Sequence, residues 1–264
     1  MVEVLKDLRD HHHVVGVKAE FEAEGTRMEE ALRLKDVVSA AGLGFTVKVG
    51  GCEAILDMYN ARELGVTHLV GPMVETAYAL KKYLGAVKLA FAPEEMEQVS
   101  FLINIETIDA VRNFGRMLEL PEIAELDGVV LGRVDLTGSM GKNREYVNSP
   151  EILEIARDVL GRAKAKGMQC VVGGGVSKET VPFLKQLEPG TLDRYETRKV
   201  IFGCPGALGD GYEKGILKAV GFELMWLKNK RSYYEAIYRE DDTRITMLEA
   251  RYKKLIEEAG GAVE

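Results

Sequence analysis

The chain has 264 residues, of which 46% are hydrophobic and 29% charged, and its formal net charge is −7. That is ample for one closed core of α/β-barrel size. An acidic chain with interspersed charge lacks the basic face that nucleic-acid binding needs. No uninterrupted apolar run reaches the ~18 residues of a membrane span, and no amino-terminal leader pattern is present. The expectation is a soluble, cytoplasmic protein with no nucleic-acid or membrane partner. Cys52, Cys170 and Cys204 are too far apart for a zinc knuckle or a C-x-x-C pair, and their odd number argues against a disulfide framework. They read as small buried hydrophobes. His11, His12 and His13 are consecutive, so their side chains cannot converge on one ion from regular structure, and a solvated loop is expected there.

In chain order, a short amphipathic start leads to a first strand over 14–22, whose second half puts Lys18, Glu20 and Glu22 on one face. A helix over 28–41 ends at Gly42. The second strand, 45–49, carries Lys48 near its carboxyl end, where a cation meets an anionic substrate or snorkels to the rim. A helix over 52–64 and a third strand over 68–73 follow, with Thr76 as the cap of the next helix. The short apolar run 87–91 reads as a fourth strand. The fifth and sixth, 101–107 and 129–136, each end in a carboxylate, Glu106 and Asp135, and flank a helical pattern of Ile108, Val111, Phe114 and Leu118. In a parallel βαβ unit both strands end on the same side of the sheet. Two carboxylates there suit a hard divalent ion, although each alone is equally well a loop or cap residue.

Ser149-Pro150 opens a helix to Lys166, the seventh strand covers 169–172, and Gly173-Gly174-Gly175-Val176-Ser177 follows it. The eighth strand is 194–202. Eight strands separated mostly by helices predict an α/β fold, a (β/α)₈ TIM barrel with a carboxyl-terminal helical extension. The barrel domain spans 1–205 and the helical arm 206–264. Active sites of this fold lie at the carboxyl ends of the strands, where Lys48, Glu106, Asp135 and the glycine triplet all fall. In the arm, Ile245, Leu248, Tyr252 and Leu255 recur at coiled-coil spacing. With Tyr233, Tyr234 and Tyr238 they leave apolar surface for a second subunit, and a homo-oligomer is expected.

Ile103-Asn104-Ile105-Glu106-Thr107, then Leu131-Gly132-Arg133-Val134-Asp135-Leu136 with Ser139-Met140-Gly141, and Gly71-Pro72-Met73-Val74 resemble the HpcH/HpaI aldolase/citrate lyase superfamily. The resemblance covers roughly residues 14–176 and is specific around the two carboxylates. It implies a metal-dependent (β/α)₈ carbon–carbon lyase that cleaves or forms 4-hydroxy-2-oxoacids through a pyruvate enolate. Glu106 and Asp135 would then hold Mg²⁺, Mn²⁺ or Co²⁺. Asn104 would sit near the pyruvyl oxygens, and Gly132 and Val134 would offer backbone N–H groups to the carboxylate. Lys48 stands where the family commonly has an arginine for the enolate oxygen, and supplies a point charge rather than a fork. The family's proton-transfer histidine is absent, which leaves Glu22, Glu24 or metal-bound water as the base. Arg133, at the substrate-binding segment, replaces a small residue or proline. The implied partners are pyruvate or another 2-oxoacid and an aldehyde.

Three other readings compete. An acyl-CoA or acyl-carrier lyase would use the same metal pair. A phosphate-binding barrel would use Gly174 and Gly175 as a small-residue cup. A non-catalytic assembly protein would use only the arm.

Overall fold

The computed structural model describes residues 1–261. Eight strands close one barrel in sequence order. They are β1 Val14–Glu20, β2 Gly44–Lys48, β3 His68–Gly71, β4 Ser100–Ile105, β5 Gly128–Gly132, β6 Gln169–Gly173, β7 Arg194–Glu196 and β8 Val200–Gly203. Strands β1 to β7 pair in parallel, while β8 runs antiparallel to both β7 and β1. The carboxyl ends of the first seven strands therefore open on one mouth. Helices Met28–Ala40, Ile55–Glu63, Ala77–Ala90, Ile108–Leu118 and Pro150–Lys164 carry most of the crossovers. β4, β5 and β6 are apolar and buried almost throughout, as parallel strands covered on both faces must be. Val70, Leu102, Val130 and Val171 form a buried apolar cluster.

The strand count agrees with the sequence for two compensating reasons. Residues 87–91 are not a strand. They finish helix Ala77–Ala90, in which Leu80, Tyr83, Leu84 and Val87 are buried while Leu89 is exposed. A five-residue apolar run has no periodicity of its own, and only the longer 3–4 spacing identifies it. Residues 194–202 are two strands rather than one. Thr197 turns the chain, its N–H donating to the Val200 carbonyl and its Oγ1 accepting from the Val200 N–H. The returning strand closes the barrel against β1. Two expected caps are present: Thr76 Oγ1 accepts from the Ala79 N–H at 3.1 Å, and Ser149 Oγ from the Ile152 N–H at 3.4 Å.

The amino terminus is helix Val2–His12 rather than a loop at the histidines. His13 ends it in the left-handed conformation at φ 57°. Among the described residues, no helix is long and apolar enough to cross a membrane. The chain divides into two compact units, Met1–Phe222 and Glu223–Glu264. Helix Tyr212–Glu258 supplies the carboxyl-terminal end of the first and nearly all of the second.

At the barrel end away from the mouth, strand-opening residues pair with one another. Arg194, which opens β7, donates to Nε2 of His68 at 2.6 Å and to Gln169 of β6. Burial, and then the charge of Arg194, pull the His68 pKa down to about 4. The unfolded chain therefore binds more protons than the native one between pH 6.5 and 4, so stability falls as the solution is acidified through that window. The loss should reach about 3 kcal/mol. Denaturant titrations across that pH range should show it, and His68→Gln should flatten the slope. An equal slope in the variant would refute this assignment.

Candidate active site

The site is built where β4 and β5 end. Glu106 follows the last residue of β4 and is 1% exposed. Its Oε1 accepts from the Met73 N–H at 2.9 Å and its Oε2 from the Asn104 amide at 2.6 Å. Met73 holds φ at 50°, an uncommon left-handed conformation for a residue with a side chain. The hydrogen bond to Glu106 gives that backbone cost a purpose. Gly132, at the end of β5, has no room for a side chain: a Cβ there would lie 2.7 Å from Glu106 Cβ and 2.9 Å from its Oε2.

Asp135 does not end a strand. β5 stops at Gly132, and Asp135 lies in the first turn of helix Arg133–Ser139, exposed to solvent. The carboxylates are still close enough to interact. Burial first, and the Asp135 charge in addition, raise the Glu106 pKa above the ordinary carboxyl value, while Lys48 and the two hydrogen bonds pull the other way. Asn104 Oδ1 is buried and has no hydrogen-bond partner. Two carboxylates and an uncommitted amide oxygen make an all-oxygen donor set of the kind Mg²⁺ or Mn²⁺ takes. Among the described residues no cluster of three or more His, Cys, Asp or Glu could hold a metal ion. A divalent ion at Glu106 and Asp135 would therefore draw its remaining ligands from substrate and water, which is ordinary for Mg²⁺.

Lys48 ends β2 and is buried, so it does not snorkel to the rim. Its ammonium pairs with Glu22 Oε2 at 2.7 Å. Burial opposes its charge, but Glu20, Glu106 and Glu22 outweigh that and hold its pKa above the ordinary lysine value. Glu24 lies farther along the same loop, bound to Lys199 in the β7–β8 turn and 3.9 Å from Arg198. On β1, Lys18 bridges Glu20 at 2.9 Å and Glu196 of β7 at 2.5 Å. The mouth thus carries three neighbouring ion-paired groups of alternating charge across β1, β2, β7 and the β7–β8 turn, with Lys48 and Lys199 also acting on Glu20 through their charge. The period-two alternation of Lys18, Glu20 and Glu22 announces them in the sequence. The contributions of Glu196 and Lys199 carry no local signal, because their partners are more than 170 residues away.

Arg133 is fully buried, and its guanidinium is directed at protein acceptors. It donates to the carbonyls of Gly173 (3.1 Å), Gly174 (2.8 Å) and Val147 (3.2 Å), and to Asn148 Oδ1 at 2.6 Å, with the Phe183 ring 5.1 Å away. Burial pulls its pKa down to about 9, so it remains cationic at neutral pH. Gly174, at φ 76°, presses on the same segment: a Cβ there would lie 2.6 Å from the Val134 nitrogen and 2.7 Å from that of Arg133. Gly132, Arg133, Val134, Gly174 and Gly175 therefore come together, with Arg133 tying the glycine loop to residues 147–148. Arg133→Met should cost about 3 kcal/mol, since carbonyls left unpaired in the interior cost about 1–3 each. Arg133→Lys should recover little, because a single ammonium cannot replace the fork. Denaturant unfolding of the three proteins would measure both effects.

The family model for HpcH/HpaI aldolase/citrate lyase matches residues 10–178. A comparison with curated proteins gives no match. Among solved structures, the HpcH/HpaI aldolase from Desulfitobacterium hafniense DCB-2 is similar at 16% identity and TM-score 0.57, over 70% of this chain and 77% of that one. The citrate synthase SbnG is similar at 16% identity and TM-score 0.58, over 88% of this chain and 90% of that one. A family protein from Burkholderia cenocepacia J2315 is similar at 15% identity and TM-score 0.53, over 70% and 89%. At these identities the structural likeness speaks for the fold.

Proposed function

We propose, from the premise that the chain belongs to the HpcH/HpaI aldolase/citrate lyase family, that it is a divalent-metal-dependent lyase cleaving or forming 4-hydroxy-2-oxoacids. The observation that carries the reading is Glu106: a buried carboxylate aimed by Met73 and Asn104, in the field of both Asp135 and Lys48. Structural carboxylates are rarely buried with a raised pKa beside a second carboxylate, and functional ones often are.

Breaking the carbon–carbon bond of a 4-hydroxy-2-oxoacid leaves an electron pair on the pyruvate methyl carbon, delocalised onto the keto oxygen. A divalent ion bound by Glu106 and Asp135 would supply Lewis-acid stabilisation of that charge. Lys48 would place a fixed positive charge beside the same oxygen, in a site where little water competes. The backbone N–H groups of Gly132 and Val134 would receive the substrate carboxylate, and Asn104 would order Glu106. Glu22, paired with Lys48 at 2.7 Å, would take the proton of the 4-hydroxyl group as the aldehyde departs. Glu24 serves this role less well, because its partner is Lys199 and not Lys48, the lysine whose charge acts on Glu106. Aldolase and citrate synthase, the names of the similar structures, both describe chemistry that needs a stabilised enolate.

The test is release of pyruvate from a panel of 4-hydroxy-2-oxoacids with Mg²⁺ or Mn²⁺ and with chelator. Metal-dependent release is expected. Glu22→Gln should lower it by about 10²–10⁴, the usual contribution of one general base, and Glu24→Gln by much less. No release from any panel member with either metal would refute the reading.

A further inference from the structure

Within the unit Glu223–Glu264, helix Tyr212–Glu258 carries one seam of alternating three- and four-residue steps: 224, 227, 231, 234, 238, 241, 245 and 248. That is the coiled-coil a/d pattern, and it runs much farther than the terminal Ile245–Leu255 segment. Leu224, Leu227, Ile245 and Leu248 on this seam are each between 52 and 54% exposed. Two seam positions are charged, Arg231 and Asp241, and both are exposed. A charged residue in a two-stranded seam is destabilising unless the facing chain answers it, and such residues fix the register and direction of pairing.

The seam answers itself in one arrangement only. In a parallel pair in register, Arg231 faces Arg231 and Asp241 faces Asp241, so both charged layers are repulsive. In an antiparallel pair centred on Ala236, each Arg231 meets the partner's Asp241. The same symmetry sets Leu224 against the partner's Leu248, Leu227 against the partner's Ile245 and Tyr234 against the partner's Tyr238. Every apolar seam residue then meets an apolar one, the central layers are tyrosine on tyrosine, and the two charged layers are complementary. We propose that this helix pairs with a second copy of itself in an antiparallel coiled coil centred on Ala236, with Arg231 and Asp241 setting its direction.

The flanking charges do not reverse the choice. A parallel pair would bring Glu223 toward the partner's Lys228, Lys230 toward the partner's Glu235 and Arg244 toward the partner's Glu249. The antiparallel pair brings Lys228 toward the partner's Asp242 and Glu223 toward the partner's Arg251, but sets Lys230 near the partner's Arg244. Glu235 is already bound to Arg239 at 2.5 Å, and Arg244 to Glu240, along the same helix. Exposed rim pairs of this kind contribute little, whereas like charges facing within the seam act where water is excluded. The interface is isologous, so it closes at two chains and does not propagate.

Light scattering of the full chain at micromolar concentration should give a dimer or an even multiple of it. Arg231→Asp should raise the dissociation constant at least about tenfold by setting Asp against Asp. Adding Asp241→Arg to it should restore wild-type association, because only the antiparallel register regains complementary layers. Direction is read separately by mixing Leu227→Cys chains with Ile245→Cys chains under a mild oxidant. An antiparallel pair gives cross-linked heterodimers, while a parallel pair gives cross-linked Leu227→Cys homodimers. A monomeric full-length chain, failure of the double exchange to restore association, or the homodimer cross-link would each overturn the proposal.

Discussion

Glu106→Gln should abolish metal-dependent enolisation of pyruvate, read as deuterium exchange into the methyl group, by about 10³ or more, as expected when a preorganised electrostatic partner is removed. The same substitution should stabilise the barrel at neutral pH in chelator-containing buffer. Burial, the largest influence on Glu106, raises its pKa above the 4.5 of an unperturbed glutamate. The native state thus binds the proton more tightly than the unfolded chain, and stability is lost as pH rises through the folded pKa. The substituted amide would carry no charge to desolvate and would keep the Met73 bond through its Oε1. Its new N–H₂ would face the Asn104 amide nitrogen, but Asn104 Oδ1 has no partner, so a flip of that amide restores the bond. A site residue whose neutralisation stabilises the fold is one retained for activity. Equal melting temperatures for wild type and variant across pH ~5–8, the range above an ordinary carboxyl pKa, or unchanged exchange, would contradict the account.

Lys48→Met should slow the same exchange by about 10²–10³ and, unlike Glu106→Gln, should destabilise the protein. The ammonium of Lys48 sits among Glu20, Glu22 and Glu106, and without it Glu22 and Glu106 lose its charge while Glu20 keeps its bridge to Lys18. A buried group stripped of its partner costs about 1–3 kcal/mol. Part of that loss should reappear as raised carboxyl pKa values, so the variant should be most impaired at alkaline pH. Lys48→Arg keeps the charge and should retain most of the stability. A Lys48→Met enzyme with the wild-type exchange rate would remove Lys48 from the chemistry and leave it a structural counter-ion.

The two substitutions therefore separate by sign of stability change, although both suppress turnover. Burial penalises the charged form of both; it prevails at Glu106, whereas Lys48 is surrounded by carboxylates that more than offset its own desolvation.

Much of this protein was determined locally and was legible in the sequence. The parallel strands around Val47, Ile103, Leu131 and Val171 are short apolar runs bounded by turn residues, with no longer 3–4 spacing on either side to draw them into a helix. Thr76 and Ser149 cap their helices through atoms three residues away, and the Glu106 and Asp135 segments carry the family resemblance in contiguous residues. What the tertiary structure decided is long in range. The run 87–91 is helical because residues 77–86 precede it, and 194–202 folds into two strands because a barrel with seven parallel strands needs one more edge filled against β1. The burial of Lys48, the partners of Glu24 and Glu196, and the diversion of Arg133 to four protein acceptors all depend on residues brought together from distant strands. A side chain's identity states which charge it can offer; only the closed barrel determines which other charge receives it.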